Sequence, residues 1–282
     1  MKGLPADVNI GRIGMAMSPV NPDYLFAIVE TTDKSKGGLY ASTDRGASWE
    51  KKGPFYHSGN YYQEIFCDPK DINKIYAMDT YAKVSTDGGK TFTNLGEKNK
   101  HVDNHVIWID PANTQHILEG CDGGLYESYD AAKTWNFKAN LPITQFYKVS
   151  LDNSFPFYNV YGGTQDNFSL GGPSRTRSEN GIVNSDWFIT NGGDGFESQA
   201  DYADPNIVYA ESQYGGIVRY DKLTGEKLNI QPTEGTGEAA IRWNWGAPML
   251  ISQHDHKRLN FGSNKLERTE DQGTPWKTMG GD

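Results

Sequence analysis

Short apolar runs recur along the chain at nearly even intervals, and polar, glycine-rich stretches close each of them. Leu25-Phe26-Ala27, Ile75-Tyr76-Ala77, Ile117-Leu118, Ile207-Val208-Tyr209-Ala210 and Leu259-Asn260-Phe261 have the length of strands and lie between turn signals. Phe146-Tyr147-Lys148-Val149-Ser150-Leu151 partly alternates apolar and polar positions, the period of a half-buried strand. No long helical period and no inter-domain linker interrupts the pattern.

The turns themselves repeat. Ser42-Thr43-Asp44-Arg45-Gly46-Ala47-Ser48-Trp49, Ser85-Thr86-Asp87-Gly88-Gly89-Lys90-Thr91-Phe92, Ser128-Tyr129-Asp130-Ala131-Ala132-Lys133-Thr134-Trp135 and Thr269-Glu270-Asp271-Gln272-Gly273-Thr274-Pro275-Trp276 share one box, Ser/Thr-x-Asp-x-(Gly)-x-x-aromatic. The first three begin 43 residues apart, and the fourth begins 141 residues after the third. That gap holds three units of about 47 residues, a length typical of propeller blades. Gly37-Gly38-Leu39-Tyr40 and Gly123-Gly124-Leu125-Tyr126 lead into the first and third boxes, and Gly215-Gly216-Ile217-Val218 repeats the leader without a complete box. Upstream, Asp68-Pro69, Asp110-Pro111 and Asp204-Pro205 precede apolar runs, with Ser18-Pro19 and His254-Asp255 as weaker copies.

One unit therefore reads as a turn, an apolar strand, a glycine-rich turn, a leader strand and a box hairpin. Asp starts a turn by bonding its own downstream backbone, and Pro fixes φ. The box carboxylate can accept N–H groups inside its turn, and the box glycine can take positive φ. The closing Trp49, Phe92, Trp135 or Trp276 is expected to pack between neighbouring sheets. One unit cannot bury both sheet faces, so units must stack radially. The expectation is an all-β chain, a β-propeller of four-stranded antiparallel blades. About six blades, 10–57, 58–99, 100–141, 142–190, 191–240 and 241–282, form a single segment of a propeller. The fourth is the most divergent, with Gly171-Gly172-Pro173 where a box leader should stand. In the third box Ala131-Ala132 replace the usual glycine, which puts its turn geometry in question.

Composition changes the picture in few places. A net charge of −9 argues against nucleic acid or an anionic membrane as partner. No apolar run approaches the roughly 18 residues of a spanning helix, and Met1–Ile10 shows no signal-peptide pattern. Cys67 and Cys121 could pair only if the fold joins them; buried free thiols are the preferred reading.

Candidate chemistry is sparse. Asp44, Asp87, Asp130 and Asp271 recur at one structural position, which reads as turn stapling, since a catalytic group is needed once or twice. In an extended strand His101, Asp103 and His105 would share one face and could ligate a metal. No further His or Cys completes that set, so a hydrogen-bonded polar cluster is preferred and neither metal nor cofactor is expected. Gln165, Asp166, Asn167 and Asp194 lie in glycine-flanked turns of the divergent middle blades, where ligands bind. With Asp166 and Asp194 close together, one carboxyl could act as acid and the other as base or nucleophile. The alternative is ordinary turn chemistry. His105, Asp166, Asn167 and Asp194 are expected on one face of the array. Trp187, Trp243 and Trp245 could stack on sugar rings, although core packing is the commoner role.

The boxes resemble the Asp-box of sialidase-type and sortilin-type propellers. Gly11-Arg12-Ile13-Gly14, Asn104-His105-Val106-Ile107-Trp108-Ile109-Asp110-Pro111, Gly163-Thr164-Gln165-Asp166-Asn167, Gly192-Gly193-Asp194-Gly195 and Asp204-Pro205-Asn206-Ile207-Val208-Tyr209 are similar to large bacterial exported proteins with a sortilin-like, BNR-repeat propeller. Such proteins are often labelled glycosyl hydrolases on repeat similarity alone. The resemblance implies export to the periplasm or cell surface and further blades in a larger parent chain. It implies a non-catalytic binding or scaffold module for a peptide or glycan, with glycoside hydrolysis by paired carboxylates as the alternative. The arginine placement and leader of a sialidase are not matched.

Overall fold

A computed structural model of the chain describes residues 2–54, 61–141 and 143–281. The blade limits expected at 57/58, 142 and 282 lie outside the described residues. Two compact units divide after Leu141, and each holds three four-stranded antiparallel sheets whose strands follow one another in chain order. In the first unit these are β1–β4 (Ile10–Met17, Leu25–Thr31, Gly38–Ser42, Glu50–Gly53), β5–β8 (Ile65–Cys67, Ile75–Ala77, Lys83–Ser85, Thr93–Asn94) and β9–β12 (Asn104–Ile109, Ile117–Cys121, Gly124–Ser128, Asn136–Phe137). In the second they are β13–β16 (Val149–Leu151, Asn159–Gly163, Ser169–Pro173, Phe188–Asn191), β17–β20 (Ser198–Ala200, Ile207–Ser212, Gly216–Asp221, Lys227–Asn229) and β21–β24 (Met249–Ile251, Leu259–Gly262, Lys265–Thr269, Trp276–Gly281). Only two short 3-10 turns accompany the strands among the described residues.

In the middle blade of each unit the second strand buries both sheet faces, its side chains alternating between the two neighbours. Ile75 and Ala77 pack with Phe26, Ile28 and Leu39 of the first blade. Tyr76 and Met78 pack the other way, with Ile107, Ile117, Tyr126 and Trp135 of the third. In the second unit Val208 and Tyr220 pack on Tyr161 of the fourth blade, and Tyr209 on Met249, Leu259 and Phe261 of the sixth. Tyr76, Tyr161, Tyr209 and Phe261 are fully enclosed.

One turn closes the first hairpin of all six blades. The N–H of Ser18, Asp68, Asp110, Asp152, Asp201 and Ser252 donates to the carbonyl of Tyr24, Lys74, His116, Asn159, Ile207 and Arg258 respectively, at 2.9–3.1 Å. The side chain of the same residue accepts from the amide two positions on: Val20, Lys70, Ala112, Ser154, Ala203 or His254. The fifth and sixth copies are thus Asp201 and Ser252, not Asp204-Pro205 and His254-Asp255. The sequence motif was displaced because the turn needs an acceptor side chain directly after the strand, and proline only follows it in some copies.

The boxes close in the same manner. Asp44 accepts the Ser48 N–H at 2.8 Å and its hydroxyl at 2.5 Å. Asp87 accepts the Thr91 N–H at 3.0 Å and hydroxyl at 2.6 Å. Asp130 accepts both from Thr134, at 2.9 and 2.7 Å. The Ser48 hydroxyl and amide hold the Asp44 carboxyl down at about 2, and Thr134 does the same for Asp130, also at about 2. The fourth box departs: Pro275 stands where the others carry this N–H and hydroxyl, so Asp271 loses both donors. Its turn keeps the other pair of bonds common to the boxes: Thr269 Oγ1 accepts the Asp271 and Gly273 amides at 3.2 Å, as Ser42, Ser85 and Ser128 do in theirs. Two consecutive left-handed residues shape every box, and in the third these are Ala131 and Ala132, with φ of 59° and 71°. The side-chain acceptors keep that geometry despite the missing glycine.

The closing aromatics differ in what they cover. The Trp135 indole N–H donates to Gly96 O of the preceding blade at 2.9 Å, and that of Trp276 to Ile230 O at 2.6 Å. Phe92 packs against the cluster shared by the first two blades. Trp49 instead bonds Gly46 O of its own turn and packs on Ala27, Val29 and Tyr40 of its own blade and on Leu4. Cys67 and Cys121 are unpaired and half-buried.

Trp135→Ala is expected to cost roughly 3–5 kcal/mol, the usual loss for a large buried aromatic, read from urea melts. Ala131→Gly is expected to stabilise by up to ~1 kcal/mol in the same melts, because left-handed backbone costs alanine about 1–2 kcal/mol and the added chain entropy returns only part of it.

Candidate ligand-binding site

Three loops of the second unit meet around Asp194. The β14–β15 turn carries Gln165, Asp166 and Asn167, the β16–β17 turn carries Asp194, and the β18–β19 turn carries Gln213. Asp194 Oδ1 accepts the Asp166 amide at 2.9 Å, and the Asp194 amide donates to Gln213 Oε1 at 3.0 Å. Gly195 N–H donates to Thr164 O at 2.9 Å. A Cβ on Gly163 would lie 2.2 Å from Gly195 C, and one on Gly195 would lie 2.4 Å from Phe168 O; only glycine lets these turns approach so closely. Asp166, Phe168 and Tyr214 hold φ of 62°, 71° and 56°, conformations that non-glycine residues seldom adopt. Asp194 is 8% exposed and so acts as the hub, while Gln165 and Asn167 are exposed around it.

The sequence picked out these turns and Trp245, but not the other rings beside them. Tyr147 stacks on Phe196 with centroids 4.9 Å apart. Trp245 meets Phe196 edge-on at 6.1 Å and Tyr214 at 5.0 Å. The Tyr147 hydroxyl donates to Gln165 Oε1, and the Tyr214 amide to Trp245 O at 3.1 Å. The alternation of Tyr147 with Val149 and Leu151 was the available signal. Nothing local marks Phe196, Tyr214 or Gln213. Trp243 packs against the core cluster of the fifth and sixth blades and Trp187 against Phe146, whereas Trp245 is half-exposed. A groove of about 460 Å³ continues between β13 and β17 from Lys148 and Glu197, the residues that follow Tyr147 and Phe196. These two form an ion pair of 2.7 Å.

His105 belongs to the first unit. Its Nε2 lies 2.8 Å from Asp122 Oδ1, and its ring stacks on Tyr62 at 5.3 Å. The Tyr62 hydroxyl donates to Asp103 at 2.5 Å. β9 begins only at Asn104, and Asp103 is left-handed with φ of 64°. His101, Asp103 and His105 therefore do not alternate along one strand face, and the geometry assumed for a ligand set is not met. His101 Nδ1 lies instead against the Val102 carbonyl, at 2.8 Å.

A buried charged cluster lies beside them that sequence reading missed. Lys100 Nζ pairs with Glu97 at 2.6 Å, donates to Asn104 and to His101 O at 2.9 Å, and stands 3.8 Å from Glu119 Oε1. Its three N–H groups are spent before it reaches Glu119, which is 0% exposed. Burial pushes the Glu119 carboxyl up to about 8, against the pull of Lys100. Burial likewise raises Glu211 of the second unit to about 7.

Six tandem four-stranded meanders place the chain in the β-propeller class. No protein-family model matches it, and no curated protein sequence matches it. Among solved structures it is similar to the GH74 enzyme of Niastella koreensis, at 15% identity over 95% of this chain and 38% of that one, with a TM-score of 0.38. For the GH74 xyloglucanase of Xanthomonas campestris the values are 15%, 94%, 38% and 0.36. For YCF48 of Cyanidioschyzon merolae they are 14%, 98%, 87% and 0.35. The chain thus spans 38% of the length of these two GH74 enzymes. No described helix is long and apolar enough to cross a membrane.

A carboxyl with a raised folded pKa stabilises most below its unfolded value near 4, and that stability is lost as pH climbs to the folded value. Urea midpoints should therefore fall between pH 5 and 8 with a component that Glu119→Gln removes. An unchanged pH slope in the variant would show that Glu119 ionises freely.

Proposed function

We propose that this chain is a binding module that seats a peptide or glycan on the Asp194-centred turns of its second unit, with Gln165, Asp166, Asn167 and Asp194 as contact or positioning groups. The supporting observation is the convergence of three loops on one residue, Asp194, whose carboxylate accepts the Asp166 amide at 2.9 Å and whose own amide donates to Gln213 Oε1 at 3.0 Å, with exposed rings alongside. Such polar groups over an apolar floor suit a ligand site. Binding is favoured over glycoside hydrolysis because Asp194 is buried and already accepts an amide, a staple's role. His105, oriented by Asp122, is a second candidate contact group in the first unit. The motif resemblance supports a parent protein that is exported and carries further blades.

Asp166→Gly tests the reading, since glycine accepts a φ of 62° while removing the carboxylate. On immobilised glycan and peptide panels it should weaken retention tenfold or more, a loss of about 1.4 kcal/mol, and leave the melting midpoint nearly unchanged. The same glycans should yield no new reducing ends. Intact binding with a large stability loss would make Asp166 a turn residue only, and released reducing ends would restore the hydrolase reading.

A further inference from the structure

The ring row beside Asp194 has features that its turn chemistry does not require. Tyr147, Trp245 and Tyr214 are 49%, 39% and 57% exposed, while the Phe196 that joins them is 8% exposed. Two of the exposed rings contact Phe196 directly, and the third contacts Trp245. The row is therefore anchored from beneath and held at successive centroid distances of 4.9, 6.1 and 5.0 Å. Tyr214 keeps its place at the cost of a left-handed backbone, and its carbonyl accepts from Gln231 Nε2 at 3.0 Å. Exposed apolar surface gathered into one patch marks a binding surface, and Tyr and Trp serve ligands with one apolar and one polar side.

The groups around the row define that polar side. Gln165, held by the Tyr147 hydroxyl, is an amide. Asp166 and Asp194 are carboxylates, in a chain of net charge −9. The cation nearest in sequence, Lys148, is paired with Glu197. Carboxylates and amides accept hydroxyl hydrogen bonds, whereas an anionic ligand would meet repulsion here. A pyranose offers what this surface matches: a C–H face for a ring and equatorial hydroxyls for amide and carboxylate oxygens. The groove between β13 and β17 is lined from Lys148 and Glu197 onward, the residues next in sequence to Tyr147 and Phe196.

We infer that the second unit binds a neutral oligosaccharide, stacked on Tyr147, Trp245 and Tyr214 and hydrogen-bonded by Gln165 and Asp166. The inference rests on the binding-module reading and names its ligand class. Cellohexaose, mannohexaose, maltohexaose and chitohexaose are titrated into the intact chain, with tryptophan fluorescence and calorimetry as readouts. At least one hexasaccharide should bind and shift the Trp emission. Trp245→Ala and Tyr147→Ala should each weaken it tenfold or more with the melting midpoint kept, and Tyr147→Phe, which keeps the ring, should weaken it far less. Sialyl-lactose should bind at least tenfold less than the best neutral sugar. Failure of all four neutral sugars, or binding insensitive to both alanine variants, overturns the inference. If an immobilised peptide binds instead and Asp166→Gly weakens it, the glycan assignment falls while the binding module stands; if neither class binds, both fall.

Discussion

The structure depends on one constraint: a four-stranded meander has two apolar faces and covers neither. The second strand of the middle blade in each unit resolves this by sending alternate side chains to opposite neighbours. Ile75 and Ala77 pack on the first blade and Tyr76 and Met78 on the third; Val208 and Tyr209 divide in the same way between the fourth and sixth blades. The blade-to-blade contacts within a unit are therefore layers of buried apolar side chains. The box aromatics extend these layers. Trp135 and Trp276 reach across to a carbonyl of the preceding blade, which fixes the outer strand of one sheet to the loop of another.

Turn chemistry then sets where chain ends of strands can go. A side-chain acceptor directly after the first strand and a Ser/Thr-Asp couple in the last hairpin recur with little variation, because each satisfies amides that the strands leave unpaired. This explains why the third box survives with alanines and why the fourth loses its carboxylate bonds at Pro275 without losing its turn. It also separates carboxylates that close their own turn from one that links several turns. Asp44, Asp87 and Asp130 bond within their own turns, whereas Asp194 joins loops that are distant in sequence.

The fourth and fifth blades lack complete boxes in their β15–β16 and β19–β20 hairpins, and the candidate site is built from other loops, the β14–β15, β16–β17 and β18–β19 turns. Close glycine contacts at Gly163 and Gly195, together with left-handed Asp166, Phe168 and Tyr214, concentrate backbone strain there. Strain of this kind persists only where surrounding contacts over-determine it. Here those contacts are the Asp194 bonds and the ring row anchored on Phe196.

Much of the fold was legible from the chain because its signals are local. Strand alternation, turn acceptors and box spacing each involve residues a few positions apart, and repetition multiplied a weak signal into a strong one. Gln165, Asp166, Asn167 and Asp194 were also visible, since glycine-flanked polar turns stand out against regular blades. Tertiary structure alone decided the rest. Tyr147, Trp245 and the group Phe196, Gln213 and Tyr214 come from the fourth, sixth and fifth blades respectively, and no local pattern distinguishes them from core aromatics or ordinary turn residues. Lys100 and Glu119 carry no local mark of the burial that encloses both. His101, Asp103 and His105 illustrate the converse. Their spacing suits one strand face, but the strand begins at Asn104 and the backbone reverses at Asp103, because the Asp103 and Asn104 amides are taken by carbonyls of the neighbouring blade.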